Sequence, residues 1–233
     1  MQILTAISPK GGVGKTTLLY SVAKTLHDQG KKVLVLDPDP NMSFFNMYER
    51  RVDYCEANGT EIDYPDVQTF TPSKTNIKRQ LHQAGEGYDC VIVDTHGKIE
   101  RMQTDLMYDS DLILVPIVPL KAAINSALDT CDALEAVREE NEGLPIYSVA
   151  RLNFRKQGVA EREYRKSFGD AYQFNTETRP YECYKEADQL GLAVVELDKV
   201  LPKRQAEAAA KASIDMRRLC KEITDLLEAI NND

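Results

Sequence analysis

A glycine-rich segment near the start of the chain constrains the fold more than any other feature. Residues 2–8 form an apolar run that ends at Pro9, and residues 15–29 carry apolar side chains at helical spacing up to Gly30. The segment that follows the first run and continues into the second reads Lys10-Gly11-Gly12-Val13-Gly14-Lys15-Thr16-Thr17. A strand, a glycine loop and a helix in direct succession predict a phosphate-binding turn.

The residue types in this loop match the chemistry of a nucleoside triphosphate site. Glycines let the backbone N–H groups wrap phosphate oxygens, and the helix N-terminus adds its positive end. Lys15 can neutralise the β and γ phosphates, and the Thr16 hydroxyl can ligate Mg²⁺. The alternative is a glycine-rich turn with an incidental lysine, which would not require the flanking strand and helix.

The rest of the chain repeats the alternation of strand and helix. Further apolar runs at 32–37, 89–94, 112–118 and 146–152 are too continuous for half-exposed antiparallel strands and favour a buried parallel sheet. The helical stretches predicted between and after them are 77–84, 122–140 and 203–230. We therefore expect an α/β fold, a doubly wound and mostly parallel sheet flanked by helices, with residues 1–233 in a single domain. The pattern is weakest at 41–73, where a short helix and loops are expected.

Composition narrows the class of protein. The net charge of −8 and pI of about 5.1 oppose binding to nucleic acid unless basic residues gather on one face. No apolar run approaches the roughly 18 residues of a membrane span, and no leader pattern precedes the first strand. Five cysteines without a C-x-x-C pair favour reduced thiols over a disulfide framework or a zinc site. We expect a cytoplasmic globular protein.

The loop sequence K-G-G-x-G-K-T-T, with Pro9 in the place of the usual first glycine, resembles the deviant Walker A motif of the ParA/MinD superfamily of P-loop ATPases. This resemblance implies that Gly11 to Thr17 bind the phosphates of ATP with Mg²⁺ at Thr16. It also implies that Lys10 reaches across a dimer interface to the ATP of the partner subunit. The active site would then be complete only in a homodimer that forms on ATP binding.

Acidic residues stand where two of the apolar runs end, at the edge where ligands bind in parallel sheets. Asp37-Pro38-Asp39-Pro40-Asn41 resembles the D-x-D-P-Q segment of the superfamily, with Asn41 in the place of Gln. The resemblance implies that Asp37 belongs to the magnesium environment and that Asp39 positions the attacking water. Asp94 ends the run 90–93 and corresponds to the Walker B carboxylate, which holds Mg²⁺. A solvated Asp-Pro turn is the alternative for the first segment.

Other parts of the chain match the superfamily less closely. Asp94-Thr95-His96-Gly97-Lys98 departs from most members and resembles the VirC-type ATPases that assist T-DNA transfer, and His96 could sense the γ-phosphate or be a spectator. Arg151 stands where many members have an Asn-Arg pair that helps hold adenine. Arg179 and Pro180 resemble the later loop that closes over the base.

The last predicted helix bears on the choice of cargo. Its apolar stripe predicts packing on the sheet, and the opposite side carries Lys203, Arg204, Lys211, Arg217, Arg218 and Lys221 among acidic residues. ParA-type proteins contact DNA without sequence preference near their C-terminus, which makes Arg217 and Arg218 the best candidates here. A solvated mixed face is the alternative. Acidic residues at the end of the chain oppose membrane adsorption of the MinD kind.

The resemblance favours an ATP-dependent dimerisation switch that acts in plasmid or DNA partition with non-specific DNA and a ParB-like stimulating partner. The alternatives within the fold are a VirC-like accessory ATPase in conjugative DNA transfer and a MinD-like membrane-positioning ATPase. An electron-transfer ATPase is disfavoured because no cysteine follows Asp94 until Cys131. Lys10 argues against a ligase of the dethiobiotin synthetase kind. A bacterial tyrosine kinase would carry a C-terminal tyrosine cluster, whereas the last tyrosine is Tyr184.

Overall fold

The computed structural model describes residues 1–73, 76–95, 101–155, 158–169, 172–201 and 206–231. Its strands form one parallel sheet in the order β3-β2-β4-β1-β5-β6. They are β1 (Gln2–Ala6), β2 (Val33–Asp37), β3 (Asp66–Thr69), β4 (Cys90–Asp94), β5 (Leu112–Ile117) and β6 (Ile146–Arg151). The predicted α/β fold with a mainly parallel sheet is confirmed.

Helices connect the strands and cover both faces of the sheet. In the described residues they are α1 (Lys15–Asp28), α2 (Ser43–Asn58), α3 (Ile77–Ala84), α4 (Arg101–Asp109), α5 (Lys121–Glu140), α6 (Val159–Lys166), α7 (Cys183–Leu190), α8 (Leu197–Val200) and α9 (Ala206–Ile230). A short 3₁₀ turn at Val194–Glu196 precedes α8. The helices predicted at 15–29, 77–84 and 122–140 agree with α1, α3 and α5 within one residue, whereas 203–205 lie outside the described residues.

Alternate residues of each strand point to opposite faces, so the sheet supports separate cores. On one face, Leu4 and Ile92 pack with α1, α2, α7 and α9. On the other, Ile113 and Val115 pack against α5, and Leu34 and Val91 pack against α3 and α4. The central strands are therefore covered on both sides, which leaves the ends of the strands as the places where a ligand can approach.

Helix α9 buries the apolar stripe that its sequence predicts. Ala212, Met216, Leu219 and Ile223 are each at most 2% exposed and join the core that contains α1. The interpretation of this stripe as part of the protein core is thus supported by the structure. Among the described helices, none combines the length and the apolar character that crossing a membrane would need.

The prediction for residues 41–73 is wrong in two respects. The helix α2 has 16 residues rather than being short, and the segment also contains the strand β3. Arg51 occupies a buried position on the inner face of α2 and interrupts its apolar pattern. The strand β3 lies at the edge of the sheet with mostly exposed polar side chains, so it lacks the apolar run that marks the central strands.

Candidate nucleotide-binding site

The glycine loop joins the end of β1 to the start of α1 at the carboxyl edge of the sheet. Gly12 and Gly14 have φ values of 75° and 95°, a region that favours glycine because it lacks a Cβ atom. Gly14 is the N-cap of α1, whose first turn has no acidic residue and no side-chain cap. Gly11 and Gly12 are exposed. The positive end of α1 is thus available to an anion approaching the loop.

Lys15 is folded back against this loop. Its side chain is buried, and Nζ donates a hydrogen bond to the Ser8 carbonyl oxygen at 3.2 Å. Burial lowers the pKa of the Lys15 ammonium, while the charges of Asp94 and Asp39 act in the opposite direction. Lys10, in contrast, is exposed to solvent. The two lysines of the motif therefore differ: one belongs to its own loop, and the other points away from the packed interior.

Thr16 and Asp94 meet across the edge of the sheet. The Thr16 hydroxyl donates to Asp94 Oδ2 at 2.7 Å, and Asp94 is 2% exposed. Burial raises the pKa of the Asp94 carboxyl from its ordinary 3.8 to about 7, although the hydrogen bond from Thr16 acts to lower it. Asp94 Oδ1 is buried and finds no hydrogen-bond partner within the described ranges. A buried carboxylate oxygen of this kind is suited to a cation.

These groups fit Mg²⁺ bound together with a nucleotide. Mg²⁺ prefers oxygen ligands and in nucleotide sites usually takes only one or two from the protein, with phosphates and water completing its shell. Asp94 Oδ1 and the Thr16 hydroxyl supply such oxygens beside the glycine loop. The described residues contain no cluster of three or more His, Cys, Asp or Glu side chains that could hold a metal alone.

The two aspartates that follow β2 have different surroundings. Asp37 is 1% exposed, and its carboxylate accepts hydrogen bonds from the backbone N–H groups of Asp39, Phe44 and Phe45. Burial raises the pKa of Asp37, and these three hydrogen bonds act to lower it. Asp39 is half-buried and accepts from the Asn41 backbone N–H at 2.8 Å. Its charge acts on both Lys15 and Asp94, so Asp39 lies near these two residues.

The segments predicted to hold adenine are joined to each other. The Thr178 N–H donates to the Arg151 carbonyl oxygen, and the Thr178 hydroxyl accepts from the Asn153 N–H at 3.2 Å. Leu152, between them, approaches Gly14 of the glycine loop. The structure thus brings the end of β6 and the later loop together beside the glycine loop. Asn153 has a φ of 61°, which Asn tolerates better than most residues.

The arginines of these segments already have partners within the chain. Arg151 donates to the Gln173 side chain and the Phe174 carbonyl oxygen, each at 2.7 Å. Arg179 forms two hydrogen bonds with Asp215 of α9, at 2.9 and 3.1 Å. Pro180, next to Arg179, is exposed. Arg151 therefore connects the end of β6 to the segment 173–174, and Arg179 connects the later loop to α9.

The basic side chains of α9 differ in whether they form ion pairs. Arg217 forms a bidentate ion pair with Asp198 and also donates to the Val195 carbonyl oxygen. Lys211 and Lys221 pair with acids one helical turn away, Glu207 and Asp225. Arg218 is exposed, and it has no ion pair among the described residues. Lys203 and Arg204 lie outside the described residues, as do His96, Gly97 and Lys98.

A comparison with protein families gives a match along nearly the whole chain. The profile of the family described as "VirC1 protein" matches residues 1–229. VirC1 of Rhizobium radiobacter is 27% identical over 148 residues, which cover 62% of this chain. That match likewise spans 62% of the length of the relative.

Solved structures agree with the fold. MinD from Pyrococcus horikoshii, complexed with Mg-ADP, has a TM-score of 0.69 at 15% identity and covers 98% of each chain. The ParA protein of pNOB8 bound to nonspecific DNA has a TM-score of 0.62 at 16% identity, covering 96% of this chain and 99% of that one. The family match and the shared fold lead to one conclusion: this chain belongs to the VirC1 protein family, within the ParA/MinD superfamily of P-loop ATPases.

Proposed function

We propose that this chain is an ATP-hydrolysing switch that dimerises when ATP is bound and then binds DNA without sequence preference. The observation that carries the proposal is the contrast between the two lysines of the loop. Lys15 is buried against the Ser8 carbonyl oxygen, whereas Lys10 is exposed beside the same glycines. A cation that its own loop does not use can serve the phosphates of a second subunit.

In the proposed reaction, the N–H groups of Gly11 to Thr17 and the Lys15 ammonium bind the β and γ phosphates. Thr16 and Asp94 would hold Mg²⁺, which supplies neutralisation of the phosphate charge when bound. The Asp39 carboxylate would accept a hydrogen bond from the attacking water and orient this water towards the γ-phosphorus. Arg151, Asn153, Arg179 and Pro180 form the side of the site where the base would lie.

A site of this kind hydrolyses ATP slowly without a stimulating group. Related P-loop enzymes turn over at about 10⁻³ per second or less when no such group is in place. Slow hydrolysis gives the ATP-bound dimer time to act, and a ParB-like partner would shorten its lifetime. The proposal therefore includes a stimulating partner, a homodimer and Mg²⁺ as parts of one cycle.

DNA is the proposed binding partner of the ATP-bound dimer because positively charged side chains are available on α9. With a net charge of −8, this chain needs a local cationic patch to approach phosphates. Arg218 is free to contribute at once, whereas Arg217 must first give up its ion pair with Asp198. Support also comes from the pNOB8 ParA relative, which has been solved with nonspecific DNA. Dimerisation doubles the patch and makes binding depend on ATP.

Two biological settings use such a switch. Partition of plasmid DNA is the setting that the ParA resemblance implies. An accessory role in conjugative DNA transfer is favoured by the match of the VirC1 family to residues 1–229. Deleting the gene separates them: faster plasmid loss during growth supports partition, whereas a lower transfer frequency with stable inheritance supports transfer.

The central experiment uses Asp39→Ala, which should bind ATP and dimerise but not hydrolyse it. Light scattering should give twice the monomer mass in ATP and the monomer mass in ADP. Lys10→Ala is the matched control, because it should bind ATP through Lys15 yet remain monomeric. An Asp39→Ala protein that hydrolyses ATP at the wild-type rate, or a Lys10→Ala protein that dimerises normally, contradicts the mechanism.

DNA binding is then measured on the ATP-trapped dimer with random duplex DNA at several salt concentrations. Each phosphate neutralised should contribute about 0.9 to the slope of log affinity against log salt. Arg218→Ala should weaken binding and flatten the slope, and Arg217→Ala should have a smaller effect because of its ion pair. If the trapped dimer ignores DNA but sediments with anionic liposomes, the cargo is a membrane surface and the DNA proposal fails.

A further inference from the structure

Both oxygens of the Asp37 carboxylate accept hydrogen bonds from the backbone of its own chain. Oδ1 accepts from the Asp39 N–H at 2.9 Å. Oδ2 accepts from the Phe44 N–H at 2.8 Å and the Phe45 N–H at 2.9 Å. Asp37 thus differs from Asp94, whose Oδ1 is buried without a hydrogen-bond partner in the described part of the chain.

Helix α2 depends on these hydrogen bonds because it has no cap of its own. Its N-cap residue, Met42, is in the left-handed region with φ of 50° and supplies no side-chain hydrogen bond. The first turn contains no acidic residue. The first N–H groups of a helix lack partners inside the helix, and a negative charge is favourable at this end. Asp37, at the end of β2, provides both a hydrogen-bond acceptor for these N–H groups and the negative charge.

The same carboxylate fixes the loop that carries Asp39. One oxygen holds the backbone of Asp39 at the start of the loop, and the other holds Phe44 at its end. Between these points, Asp39 Oδ1 accepts a hydrogen bond from the Asn41 N–H at 2.8 Å. The Asp39 carbonyl oxygen accepts one from the Met42 N–H at 2.7 Å. Both ends of this six-residue segment are therefore anchored on one buried side chain, and the orientation of Asp39 depends on it.

We propose that Asp37 is a positioning residue, which holds Asp39 in place by capping α2, and that its Oδ2 does not coordinate Mg²⁺. Coordination through Oδ2 would leave the N–H groups of Phe44 and Phe45 without their acceptor, and Phe44 is 0% exposed. Thr16 and Asp94 already offer oxygens for the ion. The predicted effect on catalysis through Asp39 rests on the proposed ATP hydrolysis, whereas the capping of α2 does not.

The first test needs only the wild-type protein. Amide hydrogen exchange, resolved by NMR, is measured for Phe44 and Phe45 without nucleotide and with saturating Mg-ADP. Both amides should be protected in each state, with rates within about threefold of one another. A rise of about tenfold or more on adding Mg-ADP would mean that Asp37 leaves these amides for the ion, and it would overturn the proposal.

The second test compares Asp37→Asn with Asp94→Asn and Asp39→Asn. Asp37→Asn should speed exchange at Phe44 and Phe45 and lower kcat by about 100-fold through misplacement of Asp39. The Mg²⁺ concentration for half-maximal ADP binding should stay at the wild-type value. Asp94→Asn should raise that concentration, and Asp39→Asn should keep both amides protected. If Asp37→Asn raises the Mg²⁺ requirement as much as Asp94→Asn, Asp37 belongs to the metal site.

The two proposals fail in different ways. A wild-type protein that has protected Phe44 and Phe45 amides but hydrolyses no ATP would refute the switch and leave the positioning role intact. If Asp37→Asn does not fold, the wild-type exchange measurement still decides the question. Rapid exchange of both amides in the nucleotide-free wild-type protein would show that the cap does not form, and the proposal would be wrong.

Discussion

Asp94 should make the nucleotide-free protein less stable as the pH rises, and Asp94→Asn should remove this effect. In the folded chain, burial raises the pKa of Asp94 to about 7, whereas its ordinary value is 3.8. Between these values the folded state holds a proton that the unfolded state has lost. Stability therefore falls as the pH rises through this window, and the loss is complete above about pH 7.

The size of the effect follows from the gap between the two pKa values. A gap of about three units at about 1.4 kcal/mol per unit gives a full penalty of about 4 kcal/mol. At pH 5 only about 2 kcal/mol of it is present, so roughly 2–3 kcal/mol develops between pH 5 and pH 8. Asn is neutral throughout and can still accept the Thr16 hydroxyl through its carbonyl oxygen.

Urea denaturation at several pH values, without nucleotide or Mg²⁺, measures this directly. The unfolding free energy of Asp94→Asn minus that of the wild type should increase by roughly 2–3 kcal/mol from pH 5 to pH 8. Any fixed cost of burying the new amide cancels from the change. Asp53→Asn, on the exposed side of α2, controls for the loss of one negative charge. A difference that stays constant within about 0.5 kcal/mol across this range would refute the reasoning.

Three further substitutions test the site and its supports. Lys15→Ala should abolish ATP binding in calorimetry, because the phosphates lose their fixed counter-charge; unchanged affinity would exclude Lys15 from the site. Arg51→Ala should lower the unfolding free energy by about 3 kcal/mol because it leaves the half-buried Glu196 without its bidentate partner, whereas Arg50→Ala breaks an exposed pair and should cost about 1 kcal/mol or less. Gly191→Ala should destabilise by about 3 kcal/mol or more, since a Cβ atom there would lie 2.2 Å from the Arg51 backbone nitrogen; Gly59→Ala, with a similar φ and open space, should cost about 1–2 kcal/mol, and equal costs would refute the steric argument.

The sequence predicts the parts of the site whose geometry is set by neighbouring residues. The glycine loop follows from residue types that force its backbone, so the positions of Gly14 and Lys15 at the start of α1 could be read in advance. Asp37 and Asp94 could be placed at the sheet edge because each ends an apolar run. The roles of these two carboxylates could not be separated in this way, because the hydrogen bonds that distinguish them are visible only in the folded chain.

Contacts between distant segments were beyond the reach of the sequence. Arg217 and Arg218 are adjacent and chemically identical, yet one is bound to Asp198 and the other is exposed. The difference arises because successive residues of a helix are rotated by about 100° and face different neighbours. Similarly, nothing near Arg51 indicates that Glu196, 145 positions later, would neutralise it in the interior.

The 3₁₀ turn explains why such distant pairings matter to the nucleotide site. Its Val194 N–H donates to the Ser21 hydroxyl of α1, and its Val194 carbonyl oxygen accepts from Ser213 of α9. Glu196 of the same turn holds Arg51 of α2. One short segment thus contacts the helix that follows the glycine loop, the helix that follows Asp39 and the helix that carries Arg218. Because buried polar groups need their partners, none of these three helices can shift against the turn without leaving a donor or an acceptor unsatisfied.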